Sequence, residues 1–281
     1  MKRWISAWLA ALALLCACGK TEEPAVTANP YEGMIEVDSG YGTRMWVELY
    51  EDVPVSTLKA EDFRQENGRV VYTGSELETL EGIDVSEHQG VIDWEAVAAD
   101  GVDFAIIRAG YRGYSEGGLF EDKYFRMNMT GAVENGIRIG VYFFSQAVTA
   151  AEAEEEAAYL LELLGSYAPE VVELPVFYDW ESIGVEDART DGMDGEAVTA
   201  CAAAFCGKIQ EAGYTPAVYA YRYLAYFYYD LSQLKDYQLW IGAVGGAPDF
   251  YYAHDIWQYS TEGRVAGIEG DVDMNLLFLG S

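Results

Sequence analysis

From residue 82 onward the chain alternates short apolar runs with helix-patterned stretches, and this limits the folds open to it more than any other feature. Strand candidates are 82–85, 104–109, 138–144, 175–179, 216–220, 238–243, 255–259 and 271–277. Helical candidates fall between the early ones, at 94–99, 120–135, 150–164 and 197–212. In 150–164, Ala157, Leu160, Leu161 and Leu164 share one face, with acidic residues opposite. Eight strands with helices between the first five predict an α/β chain closed into a (β/α) barrel whose last turns have lost their helices. The main rival is an open doubly wound sheet, but no glycine-rich phosphate loop follows the first strand.

In such a barrel, groups at the C-terminal ends of several strands converge on one site. One end stands out, the stretch from Leu174 to Glu181, LPVFYDWE. Its apolar run reads as a strand buried on both faces, closing on Asp179 and Glu181 around Trp180. Side chains at i and i+2 point to one face, about 6.5 Å apart along the chain. Two crowded carboxyl groups raise the proton affinity of at least one, as general acid catalysis requires. Reading the other ends in order adds Asp84, then Asp271 and Asp273. Asp84 taken alone fits a structural role better, since a lone Asp in an apolar strand needs hydrogen-bond partners.

The start of the chain carries a different signal. Lys2 and Arg3 precede an apolar run, Trp4 to Leu15, that is too short to span a bilayer comfortably. Ala17-Cys18-Gly19 after that run is similar to a bacterial lipoprotein cleavage signal, with segment 1–17 removed and Cys18 carrying the lipid. Cys16 fits less well because Leu15 precedes it. An ordinary secretory signal is the alternative, and either predicts export, to the outer face of the cytoplasmic membrane if the lipid is attached. Residues 18–30 then form a tether, 31–80 a small β-rich appendage, and 81–281 the barrel.

Removal of 1–17 takes two positive charges away, moving the net charge from −30 to −32. Nucleic acid is thereby excluded as an electrostatic partner, and so is an anionic surface. Cys201 and Cys206, five apart in a helical pattern, suit buried apolar thiols rather than a local disulfide, and no metal framework is present. The chain is rich in rings, with 22 Tyr, 11 Phe and 7 Trp, enough for both a large core and an aromatic-walled cleft.

Taken in order, the segments GIDVSEHQG-x-IDW, RAGYR, GVYFFS, PVFYDWE, PAVYAY, LWIG, IWQYS and GIEGDVDMN resemble glycoside hydrolase family 25, the Chalaropsis-type lysozymes. They cover nearly all of residues 82–279; residues 1–80 fall outside the likeness. The resemblance implies a TIM-like (β/α)5(β)3 barrel and cleavage of the β-1,4 bond between N-acetylmuramic acid and N-acetylglucosamine in peptidoglycan. It implies Glu181 as general acid and Asp179 as the residue that orients or stabilises the 2-acetamido group. Asp84 lines the same cleft, and Asp273 matches the closing VDxN motif better than Asp271.

Net retention with substrate assistance, no cofactor and no metal are further implications. Tyr111, Tyr142, Tyr178, Tyr221, Trp257 and Tyr259 match positions around the family's cleft and are candidate sugar-binding rings. Arg108 is expected to pair with an acid, and His88 to serve as a hydrogen bonder in the cleft wall. The expected partners are glycan strands of peptidoglycan, met by a monomer held to the membrane through Cys18, in wall remodelling or turnover. A glycan-binding lipoprotein without activity is the alternative; it predicts the loss of a cleft carboxylate, and every motif carboxylate is present.

Overall fold

The computed structural model describes residues 29–280. The expected signal segment, Cys18 and most of the tether lie outside the described residues. From Gly33 onward the chain forms one compact unit.

Two β-hairpins come first: β1 (Met34–Asp38) with β2 (Arg44–Glu48), and β3 (Phe63–Glu66) with β4 (Arg69–Tyr72). The barrel begins with β5 (Glu78–Val85), a few residues earlier than the expected boundary at 80. It continues through α1 (Trp94–Ala99), β6 (Phe104–Arg112), a short β7 (Leu119–Glu121) and α2 (Phe125–Glu134). Next come β8 (Arg138–Ser145), α3 (Ala150–Leu164), β9 (Val176–Trp180) and α4 (Gly195–Glu211). The last part holds β10 (Pro216–Tyr221), α5 (Arg222–Phe227), α6 (Leu231–Leu234), β11 (Gln238–Gly242), β12 (Ile256–Gly263) and β13 (Val272–Leu279).

Eight strands close into a ring, because β5 pairs with β6 on one side and β13 on the other. That closure excludes the open sheet, and helices follow only the first five barrel strands. The fold is therefore the (β/α)5(β)3 barrel expected from the alternation.

Two details depart from expectation. The strand β13 runs antiparallel to both neighbours while the other barrel strands are parallel. Residues 120 and 121, placed in a helix by pattern, instead belong to β7, which pairs with the end of β6. Gly110 permits this: a Cβ there would stand 2.4 Å from the Phe120 carbonyl oxygen.

The strands alternate faces. Phe104, Ile106, Phe177, Tyr219 and Trp240 fill the barrel interior, while Tyr178 turns outward onto Phe205 of α4, 5.3 Å between ring centroids. Helix α3 buries Ala157, Leu160 and Leu164 as its pattern predicts, but also Glu156 from its expected acidic face. The helix-free flank of β12 and β13 is covered by the N-terminal segment. Phe63 packs edge-on against Trp257 (5.5 Å) and Phe278 (6.1 Å), and Ser56 N donates to Tyr251 O at 2.9 Å. A barrel sheet needs both faces covered. The hairpins do here what helices do elsewhere.

Candidate active site

One end of the barrel opens into a cleft of about 470 Å³. Asp84, Asp179, Glu181 and Asp273 all line it. Strand parity explains the first three: each follows an inward-facing residue by two, Asp84 after Gly82 and Asp179 after Phe177, with Glu181 just past the end of β9. Asp273 is the second residue of β13 rather than near its end. The reversed strand direction is what brings it to this face, directly opposite Asp84 in register. Asp271 is half-exposed and pairs with Arg264 at 2.8 Å. The choice left open between the two aspartates thus falls to Asp273 as the lining residue.

Asp84 is held by two amides. Gln258 Nε2 and Asn275 Nδ2 both donate to its Oδ2, at 2.9 and 2.8 Å. Those amides are set in turn by Tyr219, whose hydroxyl donates to Gln258 Oε1 (2.8 Å), and by Trp240, whose Nε1 donates to Asn275 Oδ1 (2.8 Å). Burial pushes the Asp84 carboxyl up, and the two amide bonds oppose that by favouring its charged form. Asp273 has no such amide pair; burial and the facing Asp84 raise it. The proton of this pair therefore rests on Asp273.

Burial raises Asp179 well above the carboxylate range, with the charge of Glu181 adding to it. Its Oδ1 is buried with no hydrogen-bond partner, in a residue that lines the cleft. Burial, then the charge of Asp84, pushes Glu181 up to about 7.

The wall of the cleft follows from the GIDVSEHQG motif. After β5 the chain turns sharply: Ser86 Oγ accepts from His88 N and Gln89 Oε1 accepts from Ser86 N. This turn puts His88 and Gln89 on the rim. Arg108 lines the cleft too, but its charge faces Asp122 (Nε to Oδ2, 2.7 Å) and Glu87 (Nη2 to Oε1, 3.3 Å) rather than the four cleft acids.

Of the six candidate rings, Tyr142 and Tyr221 line the cleft. Tyr111 stands beside it, stacked on Phe120 at 5.4 Å with the Arg108 guanidinium 5.2 Å from its ring centroid. Tyr178, Trp257 and Tyr259 are corrected by the structure. All three turn outward into the packing layer, because their strand neighbours Asp179 and Gln258 face in. The residues missed are Tyr219, Trp240, Gln258 and Asn275. The same parity rule would have found them, since Gln258 lies between the two misplaced rings and Asn275 is two past Asp273.

An arrangement of four clustered carboxyl groups, two of them buried and one holding its proton near neutrality, can donate a proton to a leaving oxygen and stabilise positive charge beside it. Comparison with known proteins gives that chemistry a setting. The sequence model described as glycosyl hydrolases family 25 matches residues 83–268. Lysozyme M1 of Streptomyces globisporus is 29% identical over 211 residues, taking in 70% of this chain and 67% of that one. The autolytic lysozyme of Clostridium acetobutylicum is 26% identical over 199 residues, and the match spans 55% of its length. Among solved structures, a family 25 glycosyl hydrolase from Bacillus anthracis superimposes with a TM-score of 0.57 at 25% identity. That likeness covers 74% of this chain and 92% of the other.

Proposed function

The chain belongs to glycosyl hydrolase family 25, and from that membership and the geometry of the cleft we infer that it is a peptidoglycan hydrolase. Its reaction is that of a muramidase, hydrolysis of the β-1,4 bond between N-acetylmuramic acid and N-acetylglucosamine.

Glu181 is the general acid: its carboxyl proton passes to the glycosidic oxygen as the bond to the anomeric carbon breaks. The carbonyl oxygen of the substrate's own 2-acetamido group attacks that carbon from the opposite face. Asp179, which lines the cleft, takes the amide N–H on its unpartnered Oδ1 and so holds the acetamido group in line for attack. Glu181, now a carboxylate, accepts a proton from water as that water opens the ring, and configuration is retained. Asp84, whose partner Asp273 holds the proton of the pair, supplies negative charge beside the oxocarbenium-like centre.

The observation that carries this reading is Glu181 itself. It sits at the end of a core strand, partly open to the cleft, and is pushed up to about 7, so it is a proton donor at the pH where peptidoglycan is met. The chain is exported, and the Ala17-Cys18-Gly19 signal supports a lipid anchor that keeps it at the membrane's outer face, near the wall it remodels.

The test is digestion of purified peptidoglycan by the wild type beside Glu181→Gln, with sugar ends reduced and identified by mass spectrometry. Muramic acid ends from the wild type, absent with the variant, are expected. Glucosamine ends would assign a different bond, and binding without release would make this a glycan-binding protein.

A further inference from the structure

We propose that the turn of the N-terminal hairpin extends the cleft, with Tyr41 acting as a stacking platform for a sugar of the glycan strand beyond the residues around Glu181. The inference rests on the muramidase reading above and concerns a part of the chain outside the residues the family shares, 83–268.

Tyr41 sits at the tip of the turn between β1 and β2 and is 69% exposed, the most exposed large hydrophobic residue among those described. It does not stand alone. Its ring lies 5.6 Å from that of Tyr223, edge-on, and 6.3 Å from that of Tyr221. Tyr221 lines the catalytic cleft. The aromatic surface therefore runs continuously from the cleft wall out onto the hairpin. Tyr223 is braced from behind by Phe227, 4.6 Å between centroids.

The turn is fixed rather than loose. Ser39, buried at its base, accepts from Tyr41 N through Oγ (3.1 Å) and shares a hydroxyl hydrogen bond with Thr43 (2.8 Å). Asp38 Oδ1 accepts from Gly40 N at 2.8 Å. Gly40 has φ +86°, and a Cβ there would stand 3.0 Å from Arg222 Nη2 and 3.3 Å from the Tyr221 hydroxyl. The hairpin thus seats directly on the first residue of α5, at the cleft end of β10. Arg222 is buried and pairs with Asp249 and, at 3.9 Å, Asp38. Both carboxylates keep nearly half their side-chain surface in solvent, so acceptors for sugar hydroxyls flank an apolar ring.

That combination is the chemistry of a pyranose site: a flat ring for the sugar's C–H face, and carboxylate oxygens at its edge for hydroxyls. The exposed ring continues an aromatic surface, and a rigid mount lowers the ordering cost of binding. Continuity with the cleft commits the occupant to the same polymer the enzyme cuts.

The test measures affinity for glycan strands freed of stem peptides, using the full chain with Glu181→Gln so that no cleavage occurs. Tyr41→Ala added to that parent should weaken binding about tenfold, and Tyr41→Phe should restore it, because the ring and not the hydroxyl does the stacking. Unchanged affinity with Tyr41→Ala overturns the proposal, as does a Tyr41→Phe variant as weak as Tyr41→Ala. Digestion by the otherwise wild-type chain is scored in parallel. If the wild type releases no fragments, the muramidase reading fails on its own, while the affinity series still decides on Tyr41.

Discussion

Two glutamates, one buried and one half-buried, lie on opposite sides of the barrel wall, and both are pushed up to about 7. Glu156, on α3 behind the wall, is fully buried, but Arg112 Nε donates to it at 2.8 Å. Arg112 is itself anchored to the Gly117 and Glu152 carbonyls. Glu181, at the mouth of the cleft, faces three more carboxyl groups, and Asp84 raises it further. The same proton affinity therefore has two meanings. Behind the wall it is what remains after a cation offsets deep burial, so it holds structure together. Glu181 is raised by burial and the charge of Asp84 with no cation set against it, so its proton is available for chemistry. Gln146 joins the two regions: its N–H donates to Glu156 Oε1 at 3.3 Å and its Nε2 to the Glu181 carbonyl at 3.0 Å.

The sharpest break of this comparison is at the catalytic side. Glu181→Gln should lower the rate of glycan cleavage about 1000-fold while the protein stays folded, read by fragment release beside a melting curve. The same variant should be more stable than the wild type at pH 8 than at pH 5. A carboxyl whose proton affinity is raised on folding makes the native state lose stability as pH climbs from its unfolded value of 4.5 toward about 7. Removing it relieves on the order of 3 kcal/mol above that window.

Arg112→Met addresses the structural side and should cost about 3–5 kcal/mol by denaturant titration. The cost should shrink at pH 5, where Glu156 takes a proton, and shrink again in Arg112→Met/Glu156→Leu.

Smaller effects test the link and the proton. Activity of the wild type should fall as pH rises through about 7, since the acid must be protonated, and initial rates across pH 5 to 9 would show it. Gln146→Leu should reduce kcat about fivefold with KM unchanged, by loosening the backbone that aims Glu181. A matching rise in KM would mean that Gln146 shapes the binding surface instead.

Much of this was legible in the sequence because carboxylates in apolar strands are conspicuous. Asp84, Asp179 and Asp273 are each anomalous in their segment, and the alternation around them gives the barrel. What was hidden depends on direction and parity. The short link between β12 and β13 does not announce a reversal, yet that reversal explains why an aspartate at the start of a strand joins those at the ends of others. Likeness of motif put Tyr178, Trp257 and Tyr259 in the cleft, but a residue next to an inward Asp179 or Gln258 must face out. The role of the hairpins could not be read locally either, because they cover a flank whose missing helices show only once the ring is drawn.

Closure by β13 also sets when the enzyme can first act. Asp84 and the Asn275 amide that holds it are 191 positions apart. Until the last residues are in place, β5 and β12 are bare edges, Asp84 has neither that amide nor Asp273 opposite, and the cleft lacks a completed wall. Pairings of such long range form slowly, and a chain emerging at about 5–20 residues per second spends many seconds without them. A peptidoglycan hydrolase built this way stays inactive during manufacture. Its last strand serves as the arming step, and any chain cut short before it is born blunt.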